Sequence, residues 1–198
     1  MKGKLIIVSG PSGIGKDTIV SEYLKRNNAY KSVSCTSREM REGDIPDKTY
    51  HFISKEEFEK KINDGEFLEY TIYNHNYYGT LKNTLDEKLN NGIDVIMIIE
   101  VEGEANIKKI YPDSVSIFLL PPSMDVLKER LIKRGNVSPE DIEDRLETAK
   151  KEIEVSTRYD YNIVNDDLNM AVEELEKIVQ KEKTEWFQSF FILLYLLF

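Results

Sequence analysis

Residues Val8 to Thr18 read VSGPSGIGKDT, and the spacing G-x-x-x-x-G-K across Gly10–Lys16 decides how the rest of the chain is read. The apolar run KLIIVS, Lys4 to Ser9, stands before it as a strand, and a helix-compatible stretch follows. Gly10, Gly13 and Gly15 let the backbone turn its N–H groups inward around phosphate oxygens, with Pro11, Ser12 and Ile14 completing the loop. The helix start adds positive potential, and Lys16 reaches the outer phosphates. One position departs from the pattern. Where a Ser or Thr usually ligates magnesium stands Asp17, with Thr18 next. The carboxylate can approach a metal through a water, or face away while Thr18 supplies the hydroxyl. The second reading is preferred, because a carboxylate bound directly to the metal would stand close to the nucleotide phosphates and repel them. A negative charge in the first helical turn also suits the macrodipole.

The chain of 198 residues suits one domain with small insertions. Its net charge of -9 argues against a nonspecific nucleic-acid binder, so an anionic ligand must be met by local basic clusters. One cysteine, Cys35, and two histidines give no disulfide and no metal-ligand spacing, which points to a reducing compartment and, by default, the cytoplasm. His51 and His75 read as structural. The stretch WFQSFFILLYLLF, Trp186 to Phe198, is almost wholly apolar yet shorter than the roughly 20 residues of a membrane span, which makes a membrane partner unlikely on length. It reads as a segment packed on the body, an interfacial anchor, or a tail outside the ancestral domain. The third reading fits the abrupt end, after Glu185, of the amphipathic spacing of Ala171, Val172, Leu175, Ile178 and Val179.

Strand-like runs, KLIIVS, DVIMIIE and SVSIFLL, alternate with helical periodicity and predict an α/β fold with a parallel sheet flanked by helices. Ser54 to Glu57 predicts a capping box with Gly65 beyond the helix, and Ser138-Pro139 opens another helix. Between Val33 and Tyr78 short aromatic-rich segments predict a small mixed or antiparallel sheet inserted in the parallel scaffold.

Arg38 and Arg41 in REMR can present two guanidinium forks to one phosphate if the segment is helical or tightly turned, and Tyr50 and Tyr78 can add hydroxyl donors. Glu69 in FLEY offers two carboxylate oxygens to a ligand with adjacent N–H groups. Arg130 and Arg134 lie four apart, and Arg145 follows the NVSPED turn.

Together with GPSGIGK, the segments SVSCTSREMREGD (from Ser32), YHFIS (from Tyr50), GEFLEY (from Gly65), NYYGT (from Asn76), VSIFLLPPS (from Val115), RLIKRG (from Arg130) and YDYNIVND (from Tyr159) closely resemble guanylate kinase over about Lys4 to Lys183. The resemblance implies a P-loop core (1–32, 80–123 and 150–183), a GMP-binding insertion (33–79) and a helical lid (124–149), with 184–198 as an atypical tail. It implies magnesium-dependent phosphoryl transfer from ATP to GMP, and dGMP as a further acceptor. By matching positions, ATP falls to Gly10 through Thr18 and to Asn165. GMP falls to Ser34, Arg38, Arg41, Tyr50, Glu69, Tyr78, Thr80 and Glu100. Catalysis falls to Lys16, Arg38, Arg130, Arg134 and Arg145. No protein-held metal site is implied beyond Thr18 or Asp17 through water, and the oligomeric state is left open. The family commonly shows two acidic residues flanking an apolar one after the DVIMI strand, whereas this chain has Ile98, Ile99 and Glu100. Glu100 can cover one acidic role and Ile98 cannot cover the other. The same domain also occurs as a non-catalytic module that holds a phosphorylated protein partner, which is the alternative function.

Overall fold

The computed structural model of the chain describes residues 2–41, 43–73, 75–133 and 138–197, with backbone only at 73, 102, 139 and 185–197. Five parallel strands form its main sheet: β1 (Leu5–Ser9), β2 (Ala29–Lys31), β7 (Asp94–Ile98), β8 (Val115–Leu120) and β9 (Tyr161–Val164). Their spatial order is β2-β7-β1-β8-β9, so the strand that leads into the glycine loop lies at the centre. Strand geometry sends alternate side chains to opposite faces, and β1 divides accordingly. Ile6 and Val8 pack with Ile96, Ile117 and Leu119 against Ile19, Val20 and Tyr23 of α1 (Lys16–Arg26) and Ala171, Val172, Leu175 and Val179 of α7 (Leu168–Leu197). Leu5 and Ile7 face the other way, onto Leu85 and Leu89 of α3 (Lys82–Asn90) and Ile107 of α4 (Val101–Ile110). Burial on both faces is why these strands read as continuous apolar runs.

A second sheet has the order β4-β3-β6-β5, built from β3 (Cys35–Thr36), β4 (His51–Phe52), β5 (Phe67–Tyr73) and β6 (Asn76–Leu81). It is mixed: β3 pairs with β4 in parallel and with β6 antiparallel. Helix α2 (Lys55–Asn63) covers it through Phe58, whose ring stacks on Phe67 at 4.2 Å and on Tyr77 at 5.0 Å. The predicted capping box at Ser54 is half made, since the Ser54 hydroxyl accepts from the Glu57 backbone N–H without the reciprocal bond. The reciprocal pair does form at Ser138 and Asp141, which start α6 (Pro139–Glu154). That helix packs on α5 (Met124–Lys133) through Leu127, Leu131, Ile142, Leu146 and Ala149. The chain beyond Glu185 does not break from α7 but continues its backbone helix through Leu197. Among the described residues no helix is long and apolar enough to cross a membrane.

Replacing Phe58 by Ala removes the central ring of the second sheet's core. The substitution is expected to cost about 3 kcal/mol or more in urea unfolding; a cost under about 1 kcal/mol would mean that the sheet does not depend on this stack.

Candidate active site

The glycine loop leaves the carboxyl end of β1, and the segments after β2, β7 and β9 gather at the same edge of the sheet, the position at which open α/β sheets hold ligands. The loop's glycines are required by its shape. Gly10 has φ 146° and a Cβ there would lie 2.6 Å from the Leu119 carbonyl oxygen, while Gly15, the N-cap of α1, has φ 98°. Ile14, fully buried, plugs the loop from beneath. Asn165 fastens it, because its Nδ2 donates to the Ile14 carbonyl at 2.7 Å and would lie 2.9 Å from a Cβ on Gly15. The Asn165 amide is therefore committed to the loop backbone, and its part in the site is to hold the loop's shape. Lys16 Nζ donates to the carbonyls of Gly10 and Pro11.

A cavity of about 580 Å³ opens over the loop. Pro11, Ser12, Gly13, Gly15, Lys16 and Asp17 form one end of it. Ser32, Ser34, Tyr50, Ile98 and Glu100 also line it. The structure thus brings Asp17, and not Thr18, to the cavity wall, against the preferred reading of the sequence. The reason is a partner that local reasoning could not see: Lys31, at the end of β2, pairs with the Asp17 carboxylate at 2.7 Å. Lys31 and Lys48 both line the cavity and add positive charge that no motif announces.

The second sheet supplies a polar chain. Thr80 Oγ1 donates to Glu69 Oε1 at 2.9 Å, and the Ser34 and Thr80 hydroxyls lie 3.3 Å apart. A register shift between Phe67 and Glu69 makes Leu68 the extra residue and sets Glu69 opposite Thr80. Burial raises the Glu69 carboxyl above the ordinary glutamate range, despite the lowering effect of its hydrogen bonds from Thr80.

The REMR segment is not helical. It is a loop closed by the Asp44 N–H donating to the Arg41 carbonyl at 3.0 Å. Arg38 is buried while Arg41 is exposed, so the two arginines do not form a matched pair. The Arg38 guanidinium lies 5.6 Å from the Tyr50 ring centre and 5.5 Å from that of Phe52, and Tyr50 meets Tyr78 edge-on at 5.7 Å. Burial raises the Tyr50 hydroxyl, so it stays a neutral donor.

From the paired helices, Arg145 Nη1 reaches Ser12 Oγ at 3.4 Å, at the tip of the glycine loop. Arg130 makes no hydrogen bond or ion pair with the described residues. Arg134 lies outside the described residues. Glu152, on α6, was not singled out by any motif. Burial raises its carboxyl, Glu100 adds to the rise, and Lys16 opposes it.

The family model for guanylate kinase matches residues 2–182. The chain belongs to the guanylate kinase family. It is 48% identical to a guanylate kinase of Clostridium tetani over 182 residues, 92% of this chain and 88% of that one. It is also 48% identical to one of Carboxydothermus hydrogenoformans, over 92% of this chain and 90% of that one. The crystal structure of guanylate kinase from Anaplasma phagocytophilum superposes with a TM-score of 0.74 at 31% identity, covering 91% of this chain and 86% of that one.

Asn165→Asp tests the loop fastening. The substitution turns an acceptor toward the Ile14 carbonyl and leaves that oxygen without its buried donor, so a loss of about 1–3 kcal/mol in denaturant unfolding is expected; an unchanged midpoint would show that the loop holds itself.

Proposed function

We propose that the chain transfers the terminal phosphoryl group of ATP to GMP, giving ADP and GDP, and accepts dGMP as well. The observation that carries this reading is a cavity lined both by the phosphate loop and by Ser34 and Tyr50, which lead into strands of the second sheet. The triphosphate lies over the backbone N–H groups of Gly10 through Lys16, with Lys16 leaving its own loop's carbonyls for the outer phosphates. The GMP phosphate meets Arg38, Tyr50, Tyr78 and the exposed Arg41. Its base meets Glu69, Thr80 and Ser34.

Little covalent work falls to the protein. A GMP phosphate oxygen forms a bond to the γ-phosphorus as the bond from that phosphorus to the β,γ-bridging oxygen breaks, and the electron pair leaves with ADP. With a second pKa of about 6 the acceptor phosphate is already largely dianionic at neutral pH, so no general base is needed. Alignment and charge neutralisation remain, and Lys16, Arg38, Arg130 and Arg145 serve them, together with Arg134.

Among the described residues no cluster of three His, Cys, Asp or Glu side chains could hold a metal. The cavity offers Glu100 and a lysine-paired Asp17, which would suit a magnesium brought in with the triphosphate rather than one held by the protein alone. When bound there it neutralises charge on the phosphates. Glu100 can approach it through water, and Ile98 cannot.

An intact phosphate loop opening into the shared cavity speaks against the non-catalytic module. Cys35 is buried and its thiol is pushed up to about 11 by that burial, so it is inert, in keeping with a cytoplasmic setting.

ADP formation from magnesium-ATP with GMP, AMP, UMP and CMP in parallel tests the proposal, and turnover selective for GMP is expected. Equal use of all four would remove the base-reading site from the account. Glu69→Gln should raise KM for GMP by roughly tenfold or more, because a neutral amide cannot accept from both guanine N–H groups, while KM for ATP stays unchanged; equal losses for both substrates would count against the assignment. Asp17→Asn should leave the magnesium titration of activity unmoved, since Lys31 already claims the carboxylate. A sharply raised magnesium requirement would make Asp17 a metal partner after all.

A further inference from the structure

The arrangement around Arg38 contains a carboxylate that neither the motifs nor the resemblance assigns. Asp44 faces the end of the Arg38 guanidinium with both oxygens, Oδ2 at 2.8 Å from Nη1 and Oδ1 at 3.2 Å from Nη2. The Glu39 carbonyl takes a further Nη1 hydrogen at 2.7 Å. A guanidinium has five N–H groups; here one on Nη1 and one on Nη2 donate hydrogen bonds, and Asp44 Oδ2 adds an ion-pair contact to Nη1. On the side away from Glu39, the Nε hydrogen and the second Nη2 hydrogen make no bond with the described residues. Those two hydrogens lie side by side along one edge and form the fork that grips two oxygens of a phosphate. The rings of Tyr50 and Phe52 hold the guanidinium as well, so the free edge is fixed in direction.

The same carboxylate sets the second arginine. Asp44 Oδ2 accepts from the Arg41 backbone N–H at 2.7 Å, and the Asp44 N–H returns to the Arg41 carbonyl. One residue therefore orients the Arg38 side chain and fixes the turn from which Arg41 projects. The pairing is electrostatically mutual: the hydrogen bond to Asp44 raises Arg38, and hydrogen bonds from Arg38 and then from the Arg41 backbone lower Asp44. With side-chain exposures of 9% and 10%, neither partner has much water to replace the other.

We infer that Asp44 is a positioning residue for the acceptor's phosphate: it occupies the end of Arg38 so that only the Nε–Nη2 edge is open to the incoming dianion. The inference rests on the GMP reading above. It makes a sign prediction that simple repulsion would reverse. A carboxylate near a phosphate should weaken binding through space, whereas a carboxylate that organises both arginines should strengthen it. Asp44→Asn separates the two, because it removes the charge and turns an amide donor toward guanidinium donors.

The test is direct titration of GMP and of guanosine, the same base and sugar without the phosphate, into the wild-type protein, Asp44→Asn and Asp44→Glu, with steady-state kinetics alongside. The expected result is about a tenfold or greater weakening of GMP in Asp44→Asn, the factor of one charge-assisted hydrogen bond. Guanosine binding and KM for ATP stay unchanged, and Asp44→Glu, which keeps the carboxylate, recovers most of the loss. GMP binding that is unchanged or tighter in Asp44→Asn would overturn the inference, as would equal weakening of GMP and guanosine, which would mean general damage to the second sheet. No recovery in Asp44→Glu would overturn it too. A wild-type protein that binds no GMP would sink the functional reading itself, before any variant is compared.

Discussion

Like-charge repulsion is the constraint on which this molecule turns. A chain of net charge -9 must meet anionic nucleotides with local positive charge, and it sets a phosphate loop and three lysines along one cavity. The loop, Lys16, Lys31 and Lys48 line it, and Arg38 stands beside it, against the Tyr50 ring on its wall. The acidic residues that intrude are individually answered: Asp17 by Lys31, and Asp44 by Arg38. Each of these two carboxylates is thereby paired with a cation beside it.

Rigidity follows from where these groups are anchored. The phosphate loop hangs from the central strand of a five-stranded sheet buried on both faces, and Asn165 ties it from the edge strand β9. Glu69 and Thr80 sit on a different sheet, whose own small core of Phe58, Phe67, Tyr77 and Cys35 packs beneath β5 and β6. Two separately cored sheets facing one cavity can set the spacing of donor and acceptor without either site distorting the other.

In the second sheet a small change in register brings polar side chains together. The extra residue Leu68 in β5 places Glu69 opposite Thr80, and Thr80 meets Ser34 from β3's approach. Three side chains from three segments thus form a continuous polar strip. Burial raises the Glu69 carboxyl in this strip, so a ligand that left it without donors there would meet a penalty.

The phosphate loop, the α/β alternation and the two-face burial of the main strands were legible in the sequence, because each depends on spacing within a few residues or on a run of apolar side chains. The resemblance to guanylate kinase gathered Glu69, Thr80, Tyr50 and Tyr78 before any geometry was known. What tertiary structure alone decided were pairings between distant positions. Lys31 reaching Asp17 depends on β2 lying alongside β7 at the edge of the sheet, and no local signal near Asp17 could name it. Asn165 bonding Ile14 spans 151 residues, so a weak motif position becomes the loop's fastening only when β9 is laid beside β8. Asp44 reads as one more acidic residue in an acidic chain until the loop's fold turns it onto Arg38. Local chemistry determined which groups could bind phosphate; the sheet order determined which charges would meet, because a charge's effect depends on distances that only the folded chain sets.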